Sequence, residues 1–259
     1  MIEGRELALL QRTGYAAKTL LNSVLGRTAI DIAKSAAGLC FDGFFELYET
    51  EGMAFRFPRE HTRRSLRGKF LFDTYELPER TLAKRHVSPS ARVLELGGCI
   101  GVVSCIVNRI LQDPAAHVVV EANPYLISVL SENKNANSAA FKIEQFVVSR
   151  KPTALLAVGP DMDSSRLGEH GVPITTITLE DLERRHGIKF DTLIMDIEGG
   201  EAEFIPENLH LLRHFDLIML EFHPTILGED GVARLRGLLA TCGMVRIDQM
   251  RGTEVFKRK

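Results

Sequence analysis

Two apolar runs end in acids and a histidine at two-residue spacing. "FDTLIMDIE" closes on Asp196 and Glu198, and "FDLIMLEFH" closes on Glu221 and His223. Extended backbone puts residues i and i+2 on one side of a strand, so each pair projects together if the strand persists to its end. Imidazole titrates near neutrality and carboxylates accept protons. His223, Glu198 and Glu221 are therefore candidate catalytic residues, with His223 the preferred general base. Asp196, Glu198, Glu221 and His223 are also ligand types for a hard cation, but no spacing here is diagnostic of one, and no metal is assigned. A structural alternative stands beside each role. His223 precedes Pro224 and can be a structural histidine. Glu198 and Glu201 can complement the dipole and free N–H groups of a following helix, and for Glu201 that role is preferred.

Another short apolar run, "ARVLEL", opens into "GGCIG". A dinucleotide fingerprint needs G-x-G-x-x-G. Counted from Gly97, its remaining glycines would fall on Cys99 and Val102, so the spacing argues against hydride transfer. The pattern that fits is E-x-G-x-x-x-G, at Glu95, Gly97 and Gly101. It resembles the first motif of Rossmann-like methyltransferases that use S-adenosylmethionine. Gly97 would let the backbone approach the cofactor, and Gly101 would let the next helix pack tightly on its strand. Glu95 would organise the ammonium of the cofactor's amino-acid end. Glu121 ends the next apolar run, "HVVVEA", where a carboxylate can accept hydrogen bonds from both ribose hydroxyls. The expected cofactor residues are Tyr75, Glu95, Gly97, Gly98, Gly101, Glu121, Ala122, Asn123, Val148 and Asp196. Tyr75 is equally well read as a buried packing tyrosine.

The positioning elements follow from periodicity. Helical spacing over Leu7–Leu25 predicts an opening helix, and Ile30–Ala37 a second, stopped by Gly38. Phe55–Phe72 reads as a small strand or hairpin layer, and "YELPERTLAKRH" as a turn into a helix. From Ala91 strands alternate with helices: "ARVLEL", "HVVVEA", "FKIEQFVVS", "FDTLIMDIE" and "FDLIMLEFH". The stretch 150–173 carries Gly159, Pro160, Gly168 and Gly171 and reads as an irregular insertion. "GMVRID" and "TEVFKRK" close the chain as a hairpin. Such alternation implies βαβ units and a parallel sheet covered on both faces, with ligands at the carboxyl ends of its strands.

Composition bounds the function. The 259 residues carry a formal net charge of -2, which gives no reason to expect generic nucleic acid as a partner. Four scattered cysteines, Cys40, Cys99, Cys105 and Cys242, form no CxxC pair, which suits a reducing cytoplasmic setting. No apolar run reaches membrane-spanning length, and no secretory signal pattern opens the sequence. Ile2–Arg5, "IEGR", reads as a protease-recognition sequence and is given no weight. Arg56, Arg59, Arg63, Arg64, Arg67 and Lys69 cluster in "FRFPREHTRRSLRGKF". That segment suggests a local contact to an anionic substrate or charge protection of a strand edge, with RNA binding as the alternative.

From about Ala54 onward the sequence resembles the FkbM-type methyltransferases. The resemblance rests on "YELPE", "VLELGGCIG", "VVVEANP", "TITLEDL", "DTLIMDIEGGEAEFI" and "LIMLEFHP". Glu95 stands where that family more often has Asp, and Cys99 where Asn is commoner. The resemblance implies an α/β fold: a Rossmann-like methyltransferase sandwich with a mostly parallel seven-stranded sheet and an antiparallel C-terminal hairpin. Residues 1–74 would form a helical and hairpin cap, and 75–259 the S-adenosylmethionine-binding domain. The implied activity is methyl transfer from S-adenosylmethionine to a hydroxyl of a small molecule, sugar or polyketide-like acceptor. The alternatives are an RNA or nucleotide-linked methyltransferase, and a non-catalytic binding or scaffold protein that keeps the fold.

Overall fold

The computed structural model describes residues 31–259, so the expected opening helix over Leu7–Leu25 lies outside the described residues. The chain divides into two compact units. The smaller includes the described residues up to Glu46 and Arg63–Tyr75, and the larger comprises Leu47–Thr62 and Glu76–Lys259. The expected cap is therefore shared out, because Leu47–Thr62 groups with the larger unit.

In the smaller unit, helix α1 spans residues 31–44 and helix α2 spans Arg64–Leu71. Gly38 does not stop α1. It lies inside the helix, where a Cβ would overlap the Arg64 carbonyl and sit 2.8 Å from its carbon. Gly68 of α2 meets the Lys34 carbonyl in the same way, at 2.9 Å from its carbon. Two glycines thus let two backbones touch, which offsets their poor helix propensity. Helix α2 replaces the strand expected there. Its buried Leu66 and Phe70 are four residues apart, which is one helical face and also one strand face. Arg67 settles its charge on Asp42, with Nε 2.8 Å from Oδ1.

The larger unit begins with a hairpin, β1 (Tyr48–Thr50) and β2 (Met53–Phe55), turned by Glu51 and Gly52, both at positive φ. Helix α3 (Leu77–His86) follows. Then come β3 (Val93–Leu96), α4 (Val102–Ile110), β4 (His117–Val120), α5 (Ile127–Ala136) and β5 (Lys142–Glu144). Strands β6 (Val147–Val148), β7 (Thr153–Ala157), β8 (Arg166–Leu167) and β9 (Val172–Ile177) come next. The chain ends with α6 (Leu179–His186), β10 (Thr192–Met195), α7 (Glu201–Leu212), β11 (Leu217–Glu221), α8 (Pro224–Thr241), β12 (Met244–Met250) and β13 (Thr253–Arg258).

Seven strands form one sheet in the order β12-β13-β11-β10-β3-β4-β5. Strand β13 runs antiparallel to β11 and β12, and the pairings from β11 to β5 are parallel. Strand order reverses between β3 and β10, as in a doubly wound Rossmann-like sheet, and the crevice there opens at the carboxyl ends. Alternate residues feed opposite faces. Leu94, Leu96, Leu193 and Leu220 join Leu182, Phe204 and Val232 on one side, while Val93, Ile194 and Met219 join Leu82, Val103 and Val107 on the other. With both faces covered, β3, β4 and β10 are buried throughout.

The stretch 150–173 is not an irregular loop. It supplies most of a second sheet, in the order β6-β9-β7-β8. Leu156 and Ile174 turn inward to pack with Val147. The glycines and prolines that suggested a loop mark the turns between short strands. The run "FKIEQFVVS" is correspondingly split, β5 joining the main sheet and β6 the small one.

Two asparagines on α5 fasten the hairpin. Asn133 is fully buried. Its Oδ1 accepts from Arg56 N at 2.7 Å, and its Nδ2 donates to Arg56 O at 2.9 Å and to Ile100 O at 2.8 Å. One turn on, Asn137 Oδ1 accepts from Ala54 N at 3.1 Å and Nδ2 donates to Ala54 O at 3.0 Å. The pair satisfies the edge of β2 as a neighbouring strand would. Through Ile100 it also holds the turn that follows β3.

Candidate active site

The turn after β3 is built from left-handed backbone. Gly97, Cys99 and Gly101 have φ of 90, 46 and 86. A Cβ on Gly97 would overlap the Asp196 carbonyl oxygen and lie 2.9 Å from its carbon, so the turns after β3 and β10 meet there without side chains between them. A Cβ on Gly101 would lie 2.7 Å from Leu130 Cδ1, and one on Gly98 3.3 Å from Leu130 Cδ2. The three glycines are thus required by backbone conformation or close approach.

Glu121 follows β4 and is held by two backbone donors. Cys99 N donates to Oε2 and Asn123 N to Oε1, each at 2.7 Å. Each carboxylate oxygen keeps a further lone pair, so the group is oriented and can still accept hydroxyls. Burial pushes its pKa from 4.5 up to about 7, and the N–H groups of Asn123 and Cys99 pull the other way. Asn123 is 3 % exposed and bridges loops, with Nδ2 donating to Ser165 Oγ at 3.1 Å and Oδ1 accepting from Tyr125 N at 3.0 Å. Ala122 packs against the small-sheet cluster and Val148 against the main core.

Glu95 sits differently from the sequence expectation. Its Oε1 accepts from Ser104 Oγ at 2.6 Å and its Oε2 pairs with His117 Nε2 at 2.9 Å, all three residues being buried. Both oxygens are engaged inside the protein, which explains why a strand residue carries a charge at 2 % exposure. Glu95 lines the cleft described below with both carboxylate oxygens already engaged. Tyr75 belongs to the smaller unit, where it is 3 % exposed and meets Phe70 edge-on at 5.1 Å between ring centroids.

Beyond the glycine turn, a cleft opens over the ends of β3, β10 and β11. Its lining includes Glu76, Glu79, Gly97, Asp196, Glu221 and Thr253. Glu79 had given no sequence signal. It faces the cleft from α3 with 7 % exposure and accepts a hydrogen bond from Thr253 Oγ1. A helix residue buried at the sheet's open end is visible only once the helix is placed. The acidic lining suits a cationic ligand portion such as an ammonium or a sulfonium.

Beside Asp196 and Glu221 of this lining stands His223. The turn Glu198–Gly199 has φ of 49 and 96, and a Cβ on Gly199 would lie 2.7 Å from Ile226 Cγ2, so the starts of α7 and α8 are drawn together. That approach surrounds the His223 ring with acids. Nε2 is 3.4 Å from Asp196 Oδ1 and 3.5 Å from Glu198 Oε2, and Nδ1 is 3.2 Å from Glu201 Oε1. Burial alone would lower the pKa of His223, but hydrogen bonds that the ring donates to Glu198 and Glu201, and the charge of Asp196, push it up to about 11. Burial, followed by the charge of Glu221, holds the Asp196 carboxyl well above the usual carboxylate range, with His223 opposing both. Glu201 is fully buried against His223, so it does more than complement the dipole of α7. Polar atoms of Asp196, Glu221 and His223 all lie within 4.8 Å of one another.

The sequence matches the Methyltransferase FkbM domain over residues 95–246, more than half of the chain. The chain belongs to the FkbM methyltransferase family. No curated protein sequence matches it. Among solved structures, a putative O-methyltransferase from Klebsiella pneumoniae is 13% identical, with a TM-score of 0.41 over 70% of this chain and 80% of that one. A ribosomal protein L11 methylase from Lactobacillus delbrueckii subsp. bulgaricus is 12% identical, with a TM-score of 0.45 over 70% and 77%. Aeropyrum pernix fibrillarin, solved with S-adenosyl-L-methionine, is 14% identical, with a TM-score of 0.43 over 68% and 71%. In this FkbM-family chain no helix among the described residues is long and apolar enough to cross a membrane. The basic segment is divided, Arg56 and Arg59 falling in the larger unit and Arg63, Arg64, Arg67 and Lys69 in the smaller.

Proposed function

We propose that this protein transfers the methyl group of S-adenosylmethionine to a hydroxyl oxygen of a small-molecule acceptor. The observation that carries the reading is a cleft lined by Gly97 and Gly98 of the glycine turn and by Asp196 and Glu221, with Glu121 bonded to that turn through Cys99 N and His223 3.4 Å from Asp196. Glu121 would receive the ribose hydroxyls, and Gly97, Gly98 and Asp196 would border the amino-acid end of the donor. Ala122, Asn123 and Val148 would flank the adenosine side.

Methyl transfer is an in-line displacement at an activated carbon, so alignment and water exclusion supply most of the catalysis. The remaining requirement is a destination for the hydroxyl proton. His223, Glu198 and Glu221 stand where that proton would leave. While His223 holds its own proton it serves as a charged partner, and Glu198 and Glu221 are the acceptors. A screen of hydroxylated metabolites and sugars with methyl-labelled S-adenosylmethionine tests the reading. Label in an ether product supports it, and label confined to nitrogen, carbon or RNA products overturns it.

A further inference from the structure

We infer that Asp196, Glu221 and His223 form a divalent-cation site at the cleft. One ligand atom from each lies within 4.8 Å of the others. Opposed ligands of a hard cation are separated by about 4–5 Å, so the three can share one ion with only small side-chain closure. The residues come from the ends of two adjacent parallel strands and the turn between β11 and α8, where rigid elements fix their spacing.

Two further observations point to an ion rather than to a bare acidic cluster. Asp196 Oδ1 is sealed from solvent and accepts no hydrogen bond from the described residues, although it faces the site. On binding, an ion would displace the Nε2 proton of His223, and the imidazole is held in a ligand's orientation. Fully buried Glu201 takes the Nδ1 side at 3.2 Å, which leaves Nε2 directed at Asp196 and Glu198. A carboxylate behind a histidine fixes both ring and tautomer in metal sites. Glu201 is thus a positioning residue. Asp196, Glu198, Glu201 and Glu221 surround this one imidazole, and Glu79 adds its charge near Asp196, an excess of carboxylates that a dication answers.

Two carboxylates and one imidazole select a Mn2+- or Mg2+-like ion, with open positions for oxygen ligands. What the ion does rests on the O-methylation reading. A hydroxyl bound there becomes more acidic and passes its proton to Glu198. The oxygen's electron pair then forms the bond to the methyl carbon as the carbon–sulfur bond breaks onto sulfur, turning the sulfonium into a neutral thioether.

The test is a titration of the full, metal-stripped chain with Mn2+, followed by electron paramagnetic resonance of the free ion and by calorimetry. One saturable site per chain is expected. Asp196→Asn, Glu221→Gln and His223→Ala should each weaken it by at least about tenfold, and Glu201→Gln should also weaken it while leaving all three ligands in place. Circular dichroism checks that each variant is folded. Absence of saturable binding to the wild-type chain overturns the site, as does unchanged affinity in the folded ligand variants. A chain that binds Mn2+ but methylates no hydroxyl keeps the site and loses the O-methylation reading. Full methyl transfer in chelator, without Mn2+ binding, does the reverse.

Discussion

Gly97 lies against the carbonyl of Asp196 with no room for a side chain between them. The contact joins the turns after β3 and β10 at the point where the sheet reverses its winding. Gly97 also has φ of 90, a conformation that a Cβ strains in any case. Gly97→Ala should therefore destabilise the protein by about 1–3 kcal/mol or more, seen as a fall in melting temperature of at least about 2 °C. S-adenosylhomocysteine affinity should fall with it. An alanine variant with wild-type melting and affinity would contradict this packing.

Glu121 makes a prediction about pH. Its pKa is raised from 4.5 to about 7, so between those values the folded state holds a proton that the unfolded state has released. Its contribution to stability without ligand must then decline as pH rises through that window. Cofactor binding should run the other way, tightening as the carboxylate ionises near pH 7. Glu121→Gln should flatten both slopes in melting curves and in calorimetric titrations of S-adenosylhomocysteine, and should weaken binding at pH 8.

Glu95 separates a structural role from a cofactor role. Removing its carboxylate leaves His117 and Ser104 buried without their partner. Breaking a buried pair from one side costs about 3–5 kcal/mol. Glu95→Ala should lower the melting temperature by roughly 10 °C, with little change in cofactor affinity for the folded fraction. Lost affinity with unchanged melting would return the cofactor's ammonium to Glu95.

Asn133→Ala tests the hairpin anchor. Three hydrogen bonds to backbone groups of Arg56 and Ile100 disappear at a fully buried position. A loss of about 2–4 kcal/mol is expected from the unsatisfied groups. Hydrogen exchange should rise first at the Arg56 amide, and uniform protection after the substitution would show that the hairpin is held by other means.

His223→Ala should reduce turnover by about a hundredfold or more while S-adenosylhomocysteine still binds, because the ring contacts Asp196 and Glu198 and makes no contact with Glu121, which would hold the ribose. Comparison of kcat with cofactor Kd decides this. Equal loss in both would place His223 in donor binding.

The sequence by itself determined the sheet and which residues stand at its rim. Short, nearly continuous apolar runs, with turn residues between them, leave few ways to arrange "VLEL", "HVVV", "TLIM" and "LIML". Residues at the ends of such strands must gather at one rim, so the glycine turn, Glu121, Asp196 and His223 were legible from spacing. Local pattern misled where one feature serves two structures. Gly38 resembled a helix stop because a packing glycine and a capping glycine look alike in sequence. Residues 150–173 resembled a loop because strands this short contain too few alternations to outweigh their turns. Only the tertiary structure decided which acids have partners. The occupation of Glu95 by His117 and Ser104, the entry of Glu79 into the cleft and the burial of Glu201 behind His223 all depend on contacts between distant elements. Such contacts set desolvation and charge pairing, and those quantities belong to the folded neighbourhood and not to any stretch of the chain.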